Sequence, residues 1–133
     1  MHKLYVDGSF MNGKCGAGWI LLDENNNEIA RESVLLKSDY GMRQVTGEIY
    51  AALFGVLECL NRGIKNVEIY HDYLGVSSWV TGAWRAKNAG TQSYRDMMRE
   101  ANAEIGFKFI KVKSHSRDYY NDLADSLAKE ACS

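Results

Sequence analysis

A chain of 133 residues that is 46% hydrophobic and 25% charged is sized for one domain, residues 1–133, with its own buried core. It has no run of about 18 apolar residues, which excludes a spanning helix, and Lys3, Tyr5 and Asp7 interrupt the stretch where an export signal needs an apolar core. The formal net charge of −1 supplies no bulk attraction to nucleic acid, so phosphate binding has to come from local Lys and Arg or from metal ions.

In chain order, Lys3 to Phe10 reads as a strand. Leu4 and Val6 point to one face and Tyr5 and Asp7 to the other. The strand is expected to stop at Asp7, with Gly8 and Ser9 leaving room for a ligand. Met11 to Gly16 is a turn-rich link. Ala17 to Leu22 and Glu28 to Lys37 form a hairpin across the polar turn Asp23 to Asn27, which completes an antiparallel meander.

The period then changes. Ile49, Ala52, Leu53, Val56, Leu57 and Leu60 follow helical spacing, which predicts a helix over 48–60 with Thr46 as its N-cap. Val67 to Asp72 is the fourth strand, again ending in an acid. Helices are expected over 74–84 and 92–104, joined by the basic link 85–90. Phe107 to Val112 is a fifth strand and Tyr119 to Ala131 a closing helix. This order predicts an α/β fold: a five-stranded mixed sheet, antiparallel in its first three strands and parallel in its last two, with helices on both faces.

Ligands of open α/β sheets collect at the carboxyl ends of strands. Asp7 and Asp72 belong there, Glu48 is expected in the first turn of its helix, near the positive end of the dipole, and Asp125 lies one turn after Asn121 on the last helix. Four acids in one place need a cation, and an all-oxygen donor set suits Mg²⁺ or Mn²⁺ rather than Zn²⁺. Two such ions about 4 Å apart activate a water and stabilise the leaving oxygen of a phosphodiester. With 17 acids in the chain, spacing alone leaves this at an α/β domain with a candidate metal site.

The motifs go further. Tyr5-Val6-Asp7-Gly8-Ser9, Thr46-Gly47-Glu48-Ile49-Tyr50-Ala51-Ala52, Ile69-Tyr70-His71-Asp72, and Lys111-Val112-Lys113-Ser114-His115 followed by Asn121 to Ala128 resemble, in order, the four motifs of type 1 ribonuclease H. The resemblance covers nearly the whole chain. It implies the ribonuclease H-like fold and endonucleolytic cleavage of the RNA strand of RNA–DNA hybrids, giving 5′-phosphate and 3′-hydroxyl ends. It implies two Mg²⁺ ions, with Mn²⁺ able to substitute, held by Asp7, Glu48, Asp72 and Asp125. It also implies that Glu48 lies near the 2′-hydroxyl, that His115 on a loop assists the reaction or product release, and that Asn121 contacts substrate. Gly8, Ser9, Asn12, Gln44 and Trp84 complete the candidate substrate contacts. The 2′-hydroxyl distinguishes RNA from DNA.

The chain also departs from the pattern. Val45 replaces one member of a polar pair before Glu48, Tyr73 follows Asp72 where Ser is common, and the basic protrusion is reduced to Trp79, Trp84, Arg85 and Lys87. This compact form resembles domains linked to a separate hybrid-binding module, so weak, strongly salt-dependent substrate binding is expected, in a monomeric protein. Three widely spaced cysteines, Cys15, Cys59 and Cys132, predict no disulfide framework and fit a cytoplasmic location. Gly8 to Cys15 nearly spells a P-loop, but it opens a strand and carries Cys where Ser or Thr is needed. Thr91 and Ser93 suit a DNA phosphate or a helix cap. Arg43 suits a phosphate or solvent. His71, inside a strand, reads as structural. Two other readings stay open: a catalytically weak nucleic-acid-binding or docking module, and a DNA nuclease of the same fold.

Overall fold

The computed structural model describes residues 1–113 and 118–133. Its elements are β1 (His2–Met11), β2 (Lys14–Leu22), β3 (Glu28–Leu36), α1 (Gln44–Asn61), β4 (Asn66–His71), α2 (Gly75–Thr81), α3 (Ala89–Asn102), β5 (Gly106–Lys111) and α4 (Tyr119–Cys132). They form one five-stranded sheet in the order β3-β2-β1-β4-β5. β1 to β3 are antiparallel, and β4 runs parallel to both β1 and β5. The mixed sheet is the one expected from the order of elements.

Local chemistry sets the turns. Met11 pairs with Lys14, and the two residues between them, Asn12 and Gly13, have φ of 55° and 72°. Two consecutive left-handed residues match the twist of a tight hairpin, and Asn-Gly is the pair that adopts them at least cost. In the next turn the Asp23 carboxylate accepts from the backbone N–H of Asn25 and Asn27, both at 2.9 Å.

Alternation along β1 and β2 divides the core. Leu4, Val6, Ala17, Trp19 and Leu21 pack with Ile49, Ala52, Leu53 and Val56 of α1. Tyr5, Ile20 and Leu22 pack on the other face with Ala124 and Leu127 of α4. α1 and α4 therefore clamp the same two strands from opposite sides, and both come unusually close. A Cβ on Gly18 would collide with the backbone of Ala124 and Ala128, and one on Gly8 would collide with the backbone of Gly47 and Glu48.

Several boundaries differ from the sequence reading. β1 does not stop at Asp7; it continues to Met11 paired with β2. α1 begins four residues early, at Gln44, so Glu48 lies in its second turn and the first turn contains no acid. Thr46 is inside the helix rather than capping it, and its hydroxyl donates to the Asp39 carbonyl at 2.5 Å. The N-cap position belongs to Arg43, which has φ 55° and ψ −127° and makes no side-chain cap. α2 ends at Thr81, followed by left-handed Gly82. α3 starts at Ala89 because Asn88 and Thr91 form a reciprocal capping box; this is the role of Thr91, which is buried. No helix among the described residues is long and apolar enough to cross a membrane.

Candidate active site

The sheet opens where β1 and β4 part. Their parallel pairing ends at Tyr5 and Tyr70. Asp7 lies two residues beyond that point on β1, and Asp72 immediately follows the end of β4. The gap between diverging neighbours, at their carboxyl ends, is where an α/β sheet exposes backbone and side chains to a ligand. The close approach of α1 over Gly8 brings Glu48 into the same gap. Gly8 thus serves the helix, because the space above its Cα is filled by α1 backbone rather than left for a ligand.

The last helix supplies the fourth side. The Asp118 carboxylate caps α4, accepting from the N–H of Tyr120 at 3.0 Å and of Asn121 at 3.1 Å. That cap fixes the helix start and sends Asn121 and Asp125 toward the sheet.

The result is a cleft of about 330 Å³ walled by Asp7, Gly8, Gln44, Val45, Glu48, Asp72, Tyr73, Asn121, Asp122 and Asp125. Carboxylate oxygens of Asp7, Glu48 and Asp72 all lie within 4.8 Å of one another. Asp7 is 7% exposed and Glu48 4% exposed. Burial, then the neighbouring Asp72 charge, pushes Asp7 up to about 7. Burial also holds Glu48 well above the carboxylate range, reinforced by its hydrogen bond to Asp72 and by the charges of Asp72 and Asp7. The Tyr73 N–H, which donates to Glu48 Oε2 at 2.8 Å, opposes that shift. Asp125 stands apart from the triad, more exposed and paired with Lys129 at 2.8 Å. Asn121 is buried, and its Oδ1 has no hydrogen-bond partner among the described residues.

One end of the cleft is aromatic. Tyr73, Trp79 and Trp84 pack mutually with ring centroids 5.6–5.9 Å apart, and Trp84 is 37% exposed. Arg85 and Lys87, both exposed, follow it.

The four acids, Gly8, Gln44 and Asn121 thus wall one cleft. Trp84 reaches its rim through Tyr73. Ser9 is buried and does not line the cleft. Asn12 is exposed in the first hairpin turn and does not line it either. The Arg43 guanidinium lies 5.7 Å from the Phe10 ring centroid. His115 lies outside the described residues. The sequence reading overlooked Asp118, Asp122 and Lys129. The Asp125–Lys129 spacing of four on a helix was the available signal for the last, and an Asp preceding an apolar-periodic run was the signal for the cap.

The comparisons with known proteins agree with this geometry. The chain matches the Reverse transcriptase-like family over residues 5–131. A ribonuclease H of Neorickettsia sennetsu is 26% identical over 146 aligned residues, covering 99% of this chain and 93% of that protein. RNase H1 of the halophilic archaeon Halobacterium salinarum superposes with a TM-score of 0.85 at 21% identity, covering 98% of this chain and 96% of that one. LC11-RNase H1, solved in complex with an RNA/DNA hybrid, superposes with a TM-score of 0.80 at 15% identity over the full length of both chains. The five-stranded mixed sheet with helices on both faces is the ribonuclease H-like fold. The chain belongs to the Reverse transcriptase-like family.

Proposed function

We propose that this protein is a ribonuclease H, hydrolysing the RNA strand of RNA–DNA hybrids with the help of divalent metal. The observation that carries the reading is the convergence of Asp7, Glu48 and Asp72 within 4.8 Å at the parting of β1 and β4. The fold and the relatives, one of them solved with an RNA/DNA hybrid, support the same substrate.

The donor set fits a hard cation, since it is oxygen-only and closely spaced. Asp7, Glu48 and Asp72 would hold the metal, and Asp125 would join from α4. Two Mg²⁺ ions, or Mn²⁺ in their place, would supply an activated water and charge stabilisation at the leaving oxygen. The protein's own part is to bind and orient. Gln44 and Glu48, on the first two turns of α1, would face the RNA strand and meet a 2′-hydroxyl. Asn121 brings an unpartnered acceptor to the other wall. Trp84, with Arg85 and Lys87 beside it, takes the DNA strand by stacking and charge. His115 is assigned to product release or proton movement.

The direct test uses a labelled RNA–DNA hybrid beside matched duplex RNA and duplex DNA, with and without Mg²⁺. Cleavage of only the hybrid's RNA strand, dependent on metal, is the expected result. Asp7→Asn should lower the rate by at least about a hundredfold while the protein stays folded. Cleavage of duplex DNA instead would make it a DNA nuclease of this fold, and an Asp7→Asn protein cutting at the wild-type rate would overturn the assignment of the site.

A further inference from the structure

His71 ends β4 directly before Asp72. It is 1% exposed, and Phe109 of β5 packs edge-on against its ring at 5.9 Å. As a packing element it is a poor choice. Its Nε2 is buried with no hydrogen-bond partner among the described residues, and an unsatisfied buried polar atom costs stability that Phe or Leu in the same space would not. What an apolar residue lacks is the other nitrogen. His71 Nδ1 lies 3.0 Å from the Tyr73 carbonyl, and a carbonyl only accepts, so Nδ1 carries the proton and donates.

That bond closes a bracket around Asp72. The Tyr73 carbonyl accepts from His71 and, at 3.2 Å, from the Val76 N–H of α2, and the Tyr73 N–H donates to Glu48 Oε2. The peptide units on both sides of Tyr73 are thereby fixed, and Asp72 has no slack between the strand and this anchored turn. Gly75 allows it, since a side chain there would strike the Tyr73 ring.

We infer that His71 is a positioning residue of the metal site: by donating from Nδ1 to the Tyr73 carbonyl it sets the Asp72–Tyr73 turn, and through it the placement of the Asp72 and Glu48 carboxylates. The inference rests on the reading of Asp7, Glu48 and Asp72 as metal ligands.

The test compares wild type, His71→Phe, which fills the space without a donor, and His71→Asn, whose amide nitrogen occupies the position of Nδ1. Mg²⁺ affinity is measured by calorimetry on each, with KM for the hybrid and the amide spectrum of residues 72–74. Loss of a hydrogen bond that orients a metal ligand weakens affinity by about tenfold or more. His71→Phe should show that loss with KM changed less than about twofold, and His71→Asn should recover most of it. Two results would overturn the inference: His71→Phe binding Mg²⁺ like wild type, or His71→Asn as impaired as His71→Phe. Should His71→Phe fail to fold, the imidazole nitrogen spectrum of the wild type decides, since a proton on Nε2 instead of Nδ1 overturns the proposal. Asp7→Asn separates the two levels. If it too binds Mg²⁺ normally, the reading of the site has failed; if it loses Mg²⁺ while His71→Phe does not, only the role of His71 has.

Discussion

At the scale of residues, the two buried acids of the site, Asp7 and Glu48, are pushed toward the protonated form, which a metal ion has to overcome. Burial holds Glu48 well above the usual carboxylate range and pushes Asp7 up to about 7. A cation must displace those protons, so metal binding releases protons and strengthens with pH. Calorimetry in buffers of different ionisation enthalpy should show proton release near neutrality, and Mg²⁺ affinity should rise between pH 6 and 8, as read from the same titrations. The sign for stability is the reverse. A carboxyl raised in the folded state contributes stability that is full below its unfolded value, near 4, and is lost as pH rises through the folded value. The metal-free protein should therefore lose melting temperature between about pH 5 and 8. Mg²⁺ should restore it at pH 8, and Asp7→Asn should flatten the decline. At pH 8, Asp7→Asn should stabilise the metal-free fold by on the order of 2 kcal/mol.

At the scale of elements, the contact between α1 and β1 positions Glu48. A methyl group at Gly8 would have to displace helix backbone, which cannot move aside as a flexible side chain does. Gly8→Ala should destabilise by about 3 kcal/mol, measured by denaturant unfolding, and should lower activity further than the loss of folded protein explains. The start of α1 was hard to read for the same kind of reason. It has no side-chain cap, and the chain enters through left-handed Tyr40, Gly41 and Arg43. The Asp39 carboxylate accepts from the N–H of Gly41 and of Arg43, so the cap is spread over a loop. Apolar periodicity from Ile49 onward placed the body of the helix correctly, alternation gave the face of Asp7, and the end of the fourth strand placed Asp72. Motif order brought the four acids together. Ser9 and Asn12 lie off the cleft although they are close to Asp7 in sequence, because proximity in sequence says nothing about which face a residue takes. Ser9 is buried and Asn12 belongs to a turn.

At the scale of the whole molecule, a net charge of −1 means that hybrid binding depends on a few local cations. Arg43 directly precedes Gln44 of the cleft wall, and Arg85 and Lys87 follow Trp84 at its rim. Replacing any one of them with Ala should leave the choice of strand unchanged. It should also make the dependence of log KM on log salt shallower by about one unit for each phosphate no longer neutralised, measured from 50 to 200 mM salt. The clamp of α1 and α4 on β1 and β2 has a consequence in time as well as in space. Opening either strand means undocking a helix from each face at once, whereas β5 lies at an edge and β3 is held mainly through β2 and α4. Local opening should therefore begin at the sheet edges, and the amides of residues 4–6 and 17–21 should be the last to exchange with deuterium, at a free energy close to that of global unfolding. The cleft acids sit at the border between these slow and fast regions. Asp7 rides on β1, clamped from both faces, while Asp72 follows β4, which borders the edge strand β5, so opening that starts at β5 reaches Asp72 before it reaches Asp7.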